Sequence, residues 1–489
     1  MKKIFSKVLC GVLALACAFS FVGCGGNATD NKTYKPGDVI NLSGKKAVAS
    51  AKGEVLAARK ILIRGIDENE FPIGGYIGPT DLYKGNGYVM PSLITEEIFK
   101  KISDCGLNYM IDTKNGINTE NGEAVLNFAD KYGISYYMRC DDIIRFDALG
   151  NFAEDADKMA KNLKDTIVNH ARFAGPYGRD EPTSDLYPQI KKAYAELRKA
   201  KVAMGDVAKD ITLYVNMFPR LPGSQLSNNT NKDYTYEQYL EDFFDCQPDY
   251  LEFDSYPIMG LDNTISASWL NYLAYMNDKA TEHNLAWQGF VQTGGNFPDV
   301  PNQHRIVNEN EMNYDVNSMI CYGAKGITYF PACYPPEWVS MSAEENCNDN
   351  SLINKYGATT ARYYYAQKIN ANIKAMQHYL TNAVWEGVVA SGEGVCNYTS
   401  TDAKYKMSGY KVLKSVEGDP SIIGCYNYNG GVALFVMNNT LTNHKGKITL
   451  NFDKNYEYEV IQRGVTNGVI AESFTLTLEA GEGALVVVK

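Results

Sequence analysis

Eight times between Phe71 and Leu380, a short apolar run gives way to a polar or Gly/Pro-containing break and then to helical periodicity. This alternation constrains the fold more than any other feature. Parallel strands cannot be joined by tight turns, and helices supply the long crossovers they need. The predicted strands are Pro72–Gly78, Leu107–Asp112, Ile134–Cys140, Phe173–Tyr177, Ile211–Met217, Tyr250–Tyr256, Ala286–Thr293 and Gly326–Phe330. The predicted helices are Ile94–Cys105, Ala124–Tyr132, Ala153–His170, Ser184–Ala203, Tyr236–Cys246, Ser266–His283, Glu309–Tyr322 and Lys355–Leu380. In Ser184–Ala203, for example, Ile190, Ala193, Tyr194 and Leu197 share one face. Eight such units in roughly 310 residues predict an α/β fold closed into a (β/α)8 TIM barrel. A doubly wound sheet would use fewer units and open on a Gly-rich phosphate turn. No GxGxxG follows the first strand, so no dinucleotide cofactor is expected.

Beyond Leu380 the helical pattern stops. VWEGVVAS, IIGCYNY, GVALFVMNN, KGKITLNF, YEYEVIQRG, ESFTLTLE and GALVVVK read as short strands, with Asn429-Gly430-Gly431 and Ala480-Gly481 as turn residues. They predict a C-terminal antiparallel β-sandwich. The expected division is a leader over 1–23, a polar flexible tether over 24–54, the barrel over 55–380 and the sandwich over 381–489.

The leader begins Met1-Lys2-Lys3, continues as an apolar run from Val8 to Val22, and ends in Phe21-Val22-Gly23-Cys24. The run is short for a membrane span and fits a signal peptide. Its end resembles the lipobox of bacterial lipoproteins, with Phe21 in place of the usual Leu. The resemblance implies that Cys24 is lipidated and becomes the mature N-terminus, so that the chain is exported and held to the membrane only by this lipid anchor. A plain secretory signal with a coincidental cysteine is the alternative. Loss of Lys2, Lys3 and Lys7 would take the net charge three units below −10. So acidic a chain argues against a nucleic-acid partner. Eight of the 11 cysteines follow Cys24, none in a CxxC pair, and the five histidines are scattered, so no metal is expected. Cys333 and Cys347 flank a loop and are the one pair placed for a disulfide.

Barrel chemistry sits at the C-terminal ends of the strands. The polar residues there are Asp112, Asp141, Asp142, Asp180, Glu181, Asn216, Glu252, Asp254, Gln292 and Glu337. A carboxylate-rich mouth without a Ser, Cys or Lys nucleophile suits glycosidic bond cleavage, in which one acid protonates the leaving oxygen and a second carboxylate attacks or activates water. Glu181, in Gly178-Arg179-Asp180-Glu181-Pro182, is the candidate acid. Asp180 and Glu181 also precede a helix, where the dipole alone would favour negative charge. Period-two alternation puts Glu252, Asp254 and Tyr256 on one side of their strand, and Asp254 is the candidate second carboxylate. A buried structural acid is its alternative. Tyr177, Tyr256, Tyr329 and Trp338 are candidate stacking surfaces for a sugar, or loop packing.

Asp180-Glu181-Pro182 at the end of the fourth strand resembles the Asn-Glu-Pro setting of the large (β/α)8 glycoside hydrolase clan that includes bacterial β-galactosidases and many endoglycanases. The resemblance covers about Phe71 to Lys489. It implies a carbohydrate substrate, Glu181 as acid/base and Asp180 at the sugar-binding position beside it; Asn216 and Gln292, at neighbouring strand ends, are further expected sugar-binding residues. Where the clan has Asn to bind the sugar 2-hydroxyl, Asp180 can accept the hydrogen bond but not donate one. The clan's nucleophile is a Glu ending the seventh strand, and this chain has Phe290-Val291-Gln292-Thr293-Gly294 there. Three readings follow: Asp254 replaces the missing Glu, the enzyme inverts with Asp254 or another carboxylate as base, or the barrel binds glycans on a surface lipoprotein without cleaving them.

Overall fold

The computed structural model describes residues 39–42, 45–49, 55–56, 58–85, 88–141, 155–260, 264–295, 304–336, 338, 350–442 and 444–489. The leader, Cys24, Asp142, Glu337 and Cys347 lie outside these residues. Three short strands, β1 (Val39–Leu42), β2 (Lys45–Ala49) and β3 (Val55–Leu56), form an antiparallel sheet, the first two within the expected tether and the third just past its end.

Eight parallel strands then form the barrel: β4 (Ile73–Tyr76), β7 (Tyr109–Gly116), β8 (Ser135–Arg139), β9 (Phe173–Asp180), β10 (Tyr214–Asn216), β11 (Leu251–Phe253), β12 (Trp287–Gln292) and β13 (Ile327–Phe330). A hairpin of β5 (Tyr83–Gly85) and β6 (Tyr88–Met90) follows the first of them. Ladder pairing runs continuously from β10 through β9, β8, β7, β4, β13 and β12 to β11. Met217 N–H donates to Glu252 O at 3.0 Å and Asp254 N–H to Met217 O at 3.3 Å, which closes the ring between β10 and β11. The barrel is filled rather than hollow. Its axis holds buried Tyr109, Tyr137, Tyr214, Glu252, Gln288 and Thr328. Glu252 accepts from Gln288 Nε2 at 2.8 Å and Thr328 Oγ1 at 2.6 Å, and burial lifts its carboxyl to about 8. It is therefore neutral at pH 7 and holds the barrel interior together.

The outer helices are α1 (Glu96–Asp104), α2 (Glu120–Tyr132), α3 (Ala156–Asn169), α4 (Tyr187–Met204), a one-turn α5 (Gly223–Leu226), α6 (Tyr236–Phe244), α7 (Trp269–Glu282), α8 (Glu309–Cys321) and α9 (Ala361–Asn382). Their starts are written in the sequence. Thr95, Thr119 and Asp155 cap α1, α2 and α3, while Thr235/Gln238 and Asn308/Glu311 form capping boxes on α6 and α8.

The C-terminal region comprises β14 (Val384–Ser391), β15 (Leu413–Gly418), β16 (Ser421–Tyr428), β17 (Gly431–Asn438), β18 (Gly446–Gln462), β19 (Val465–Leu478) and β20 (Gly483–Val488). The two strands expected over 445–464 are one continuous strand, β18, and β15 was not foreseen because LKSVEG lacks an apolar run. A register shift between Asn451 and Tyr456 bends β18, so its first half pairs with β15 and its second with β20. This makes two layers. Val389, Ile423, Leu434, Val436, Ile448, Leu450, Phe452 and Leu478 pack between them. The opposite face of the inner layer, with Ile422, Tyr426, Phe435, Met437 and Leu485, belongs to the same apolar core as the barrel. It lies on α8: Tyr426 Oη donates to Ile320 O, and Cys321 Sγ to Ile422 O at 3.5 Å. All seven cysteines among the described residues, Cys333 included, are buried free thiols.

Candidate active site

A cavity of about 120 Å³ opens at the C-terminal mouth of the barrel, lined by Tyr76, Asp180, Glu181, Asn216, Asp254, Tyr256, Phe290 and Phe330. The strand register sets the polar side. β9 continues three residues beyond the predicted Tyr177 end, and Asp180 lies in register with Asn216 of β10. Glu181 N–H donates to Asn216 O at 2.9 Å. Glu181 then turns sharply out of the strand with φ +45°, left-handed backbone that a residue with a Cβ adopts only when its surroundings compel it. Pro182 follows, and its missing N–H and fixed φ suit this exit from the strand. Asp254 stands just past the short β11, anchored by its N–H to Met217 O.

Asn216 links the acids. Its Nδ2 donates to Asp180 Oδ1 at 2.9 Å and its amide opposes the rise of the Asp254 carboxyl, whereas its Oδ1 is buried without a partner. Tyr76 Oη meets Tyr177 Oη at 3.3 Å and faces Asp180, whose carboxyl burial raises against the opposing effects of Asn216 and Tyr76. The Glu181 and Asp254 carboxyls share a hydrogen bond, which requires a proton between them. Burial, and then the charge of Asp180, raise Glu181 to about 7 against the lowering effect of that bond. Burial, followed by the charges of Glu181 and Asp180, raises Asp254 well above the ordinary carboxylate range. Two acids this close cannot both ionise, and the pair retains one proton near neutrality.

The other wall is aromatic. Tyr256 stacks on Phe330 at 5.6 Å between centroids, and Tyr76 packs against Phe290 at 5.3 Å and Phe330 at 5.8 Å. Tyr76, Phe290 and Phe330 are not among the polar strand-end residues that the sequence singles out. Tyr76 and Phe330 are the last residues of their strands, so the signal was position.

Other predicted residues take different places. Tyr177 stacks on Tyr214 at 5.8 Å, behind Tyr76, and Trp338 meets Phe330 and Tyr334 edge-on at 6.0 and 6.1 Å. Neither lines the cavity. Tyr329 points the other way along its strand and donates to Asn370 Oδ1 at 2.8 Å. Gln292, expected to bind sugar, is a structural strap. It is buried, its Nε2 donates to Ile258 O at 2.9 Å and Arg305 O at 2.8 Å, and its Oε1 accepts from Ile258 N–H at 3.3 Å. Asp112 is consumed by the N–H groups of Lys114 and Asn115 and by Asn115 Nδ2, and Asp141 pairs with Arg139. Among the described residues, no three His, Cys, Asp or Glu side chains are grouped to hold a metal ion.

Neither a protein-family model nor a curated protein matches this chain. Solved structures do. A catalytic mutant of a family 42 β-galactosidase from G. stearothermophilus aligns with a TM-score of 0.52 at 9% identity, over 88% of this chain and 99% of that one. A family 39 glycoside hydrolase from Bacteroides cellulosilyticus aligns at 0.47 and 13% identity, over 91% and 87%. A β-galactosidase from Bacillus circulans aligns at 0.48 and 9%, over 86% and 99%. At such identities the likeness is one of fold, a barrel of the kind glycoside hydrolases use.

Proposed function

We propose that this protein is a glycoside hydrolase that cleaves O-glycosidic bonds of an extracellular glycan, with Glu181 as the proton donor. The observation that carries the reading is the proton shared by Glu181 and Asp254 at the edge of an aromatic-walled cavity. A general acid works best when its proton is held near the working pH, and burial plus neighbouring acids do this for Glu181. Asp254 keeps the proton at the mouth, anchored by its N–H on Met217 O, and Asn216 holds Asp180 in place. Tyr76, Tyr256, Phe290 and Phe330 supply ring faces for a sugar. The Lys2-Lys3 start and the apolar run ending at Gly23-Cys24 support export and a lipid tether at Cys24, which would set the site over extracellular glycans.

The test is a panel of aryl glycosides and oligosaccharides offered to the wild type and to Glu181→Gln. The expected result is turnover of at least one class by the wild type, reduced roughly 10²–10⁴-fold in the variant. Equal turnover in both would remove Glu181 as the acid, and a wild type inert on every sugar would point to a glycan-binding barrel.

A further inference from the structure

Among the described residues, three observations leave this site without a group to attack the anomeric carbon. β12 ends in Gln292, whose side chain is tied to Ile258 and Arg305. Asp254 is engaged with the proton donor itself rather than set across the cavity from it. Asp180 is the third carboxylate of the cavity, next to Glu181 in sequence, held by Asn216 Nδ2 at 2.9 Å and faced by Tyr76. Burial raises the Asp180 carboxyl, and the Asn216 amide and the Tyr76 hydroxyl oppose that rise; the bond from Asn216 Nδ2 fixes its direction while leaving lone pairs for another donor. Asp180 can therefore accept a hydrogen bond from a substituent that donates one.

We propose that the substrate is a 2-acetamido sugar, that its own amide oxygen is the nucleophile, and that Asp180 accepts the hydrogen bond from its amide N–H. The inference rests on Glu181 being the proton donor and names the substrate class of that same site. In the first step the acetamido carbonyl oxygen bonds to C1, the C1–O bond to the leaving group breaks, and Glu181 gives its proton to the departing oxygen. The positive charge that develops on the cyclised amide falls beside the Asp180 carboxylate. In the second step water attacks C1, the ionised Glu181 takes its proton, and the C1–amide oxygen bond breaks to restore the acetamide. The balance is one glycoside and one water to one alcohol and one reducing sugar, with C1 configuration retained. Ring closure needs the leaving group trans to the acetamide, so the substrate is a 1,2-trans glycoside. The amide methyl requires an apolar wall, and Tyr76, Tyr256, Phe290 and Phe330 provide one. Placing the nucleophile within the substrate replaces the missing protein carboxylate with an intramolecular group of high effective concentration.

The experiment uses the full chain and 4-nitrophenyl 2-acetamido-2-deoxy-β-glycosides of the gluco and galacto series, beside the matching 2-hydroxy glycosides. The expected result is a kcat/KM at least ~100-fold higher for the acetamido series. Replacing acetyl by trifluoroacetyl should slow the wild type by ~10-fold or more by weakening the amide oxygen as a nucleophile, and this readout needs no variant to fold. A thiazoline analogue of the cyclised sugar should inhibit competitively, and Asp180→Asn should lower kcat by ~10²–10³-fold. Equal or faster cleavage of the 2-hydroxy glycosides, with Glu181→Gln still inactive, would overturn the acetamido assignment and leave Glu181 as the acid. Insensitivity to fluorination would overturn participation by the amide. Failure to cleave either series would overturn the acetamido assignment, and turnover on other sugars would then decide the fate of the glycosidase reading.

Discussion

Removing the charge at position 181 should make the protein more stable and less active at the same time. In the fold the Glu181 carboxyl is raised from 4.5 to about 7, mainly by burial. At about 1.4 kcal/mol per pH unit, that rise corresponds to about 3 kcal/mol of disfavoured ionisation. The side chain is partly open to solvent at the cavity mouth, and screening reduces the figure to about 2 kcal/mol. The sign follows from proton binding. Between the two values the folded chain holds a proton that the unfolded chain has released, so stability is fully present below 4.5 and declines as pH rises through about 7. Glu181→Gln does not titrate and can still bond to Asp254. Wild type and variant should therefore be nearly equal in stability at pH 4.5, with the variant ahead by about 2 kcal/mol at pH 8. For a chain of this length the unfolding entropy is on the order of 1 kcal/mol per degree, so the gap in Tm should open by about 2 °C. Paired thermal scans from pH 4.5 to 8.5 measure it, and the difference cancels other titrations. A gap that stays constant across this range, or one that favours the wild type at pH 8, would refute the claim that Glu181 is held protonated at a cost to the fold.

Activity should fall above about pH 7 as Glu181 loses the proton it must donate, seen as the basic limb of a kcat/KM profile. Gln292→Glu, which restores the carboxylate of the resembled clan, should add no turnover. It would set a buried charge against the carbonyls of Ile258 and Arg305 and cost about 3–5 kcal/mol in a urea titration. Asn216→Ala removes the donor to Asp180, and should cost about 1–3 kcal/mol of stability and lower kcat more than it raises KM.

The barrel was readable because its information is local: apolar runs for strands, Thr, Asp and Asn caps for helices, and Gly133 at φ +70° ending α2. Glu181 and Asp254 were readable from position alone, since strand ends face the mouth. Their mutual contact was not, because it depends on how β10 and β11 close the ring, and the sequence shows no pairing partners. Gln292 illustrates the limit most clearly. Its place at a strand end suggested a ligand contact, but the backbone of a loop more than thirty residues away in sequence had already claimed its amide. Tyr329 and Phe330 show how a one-residue difference in a strand decides which ring meets the cavity and which meets α9.

The inner layer of the C-terminal sandwich is buried on both faces, one against its own outer layer and the other against α8. Ala383, between α9 and β14, looks like a seam in the primary structure, yet the apolar core runs straight across it. A barrel severed there would present Ile320, Cys321 and the rest of that helix surface to water, and the released sheet would do the same with Phe435, Met437 and Leu485. The two halves are therefore poor candidates for exchange as modules. A graft of this barrel onto another scaffold would have to carry the sheet with it, and a redesign of either surface would have to redesign both.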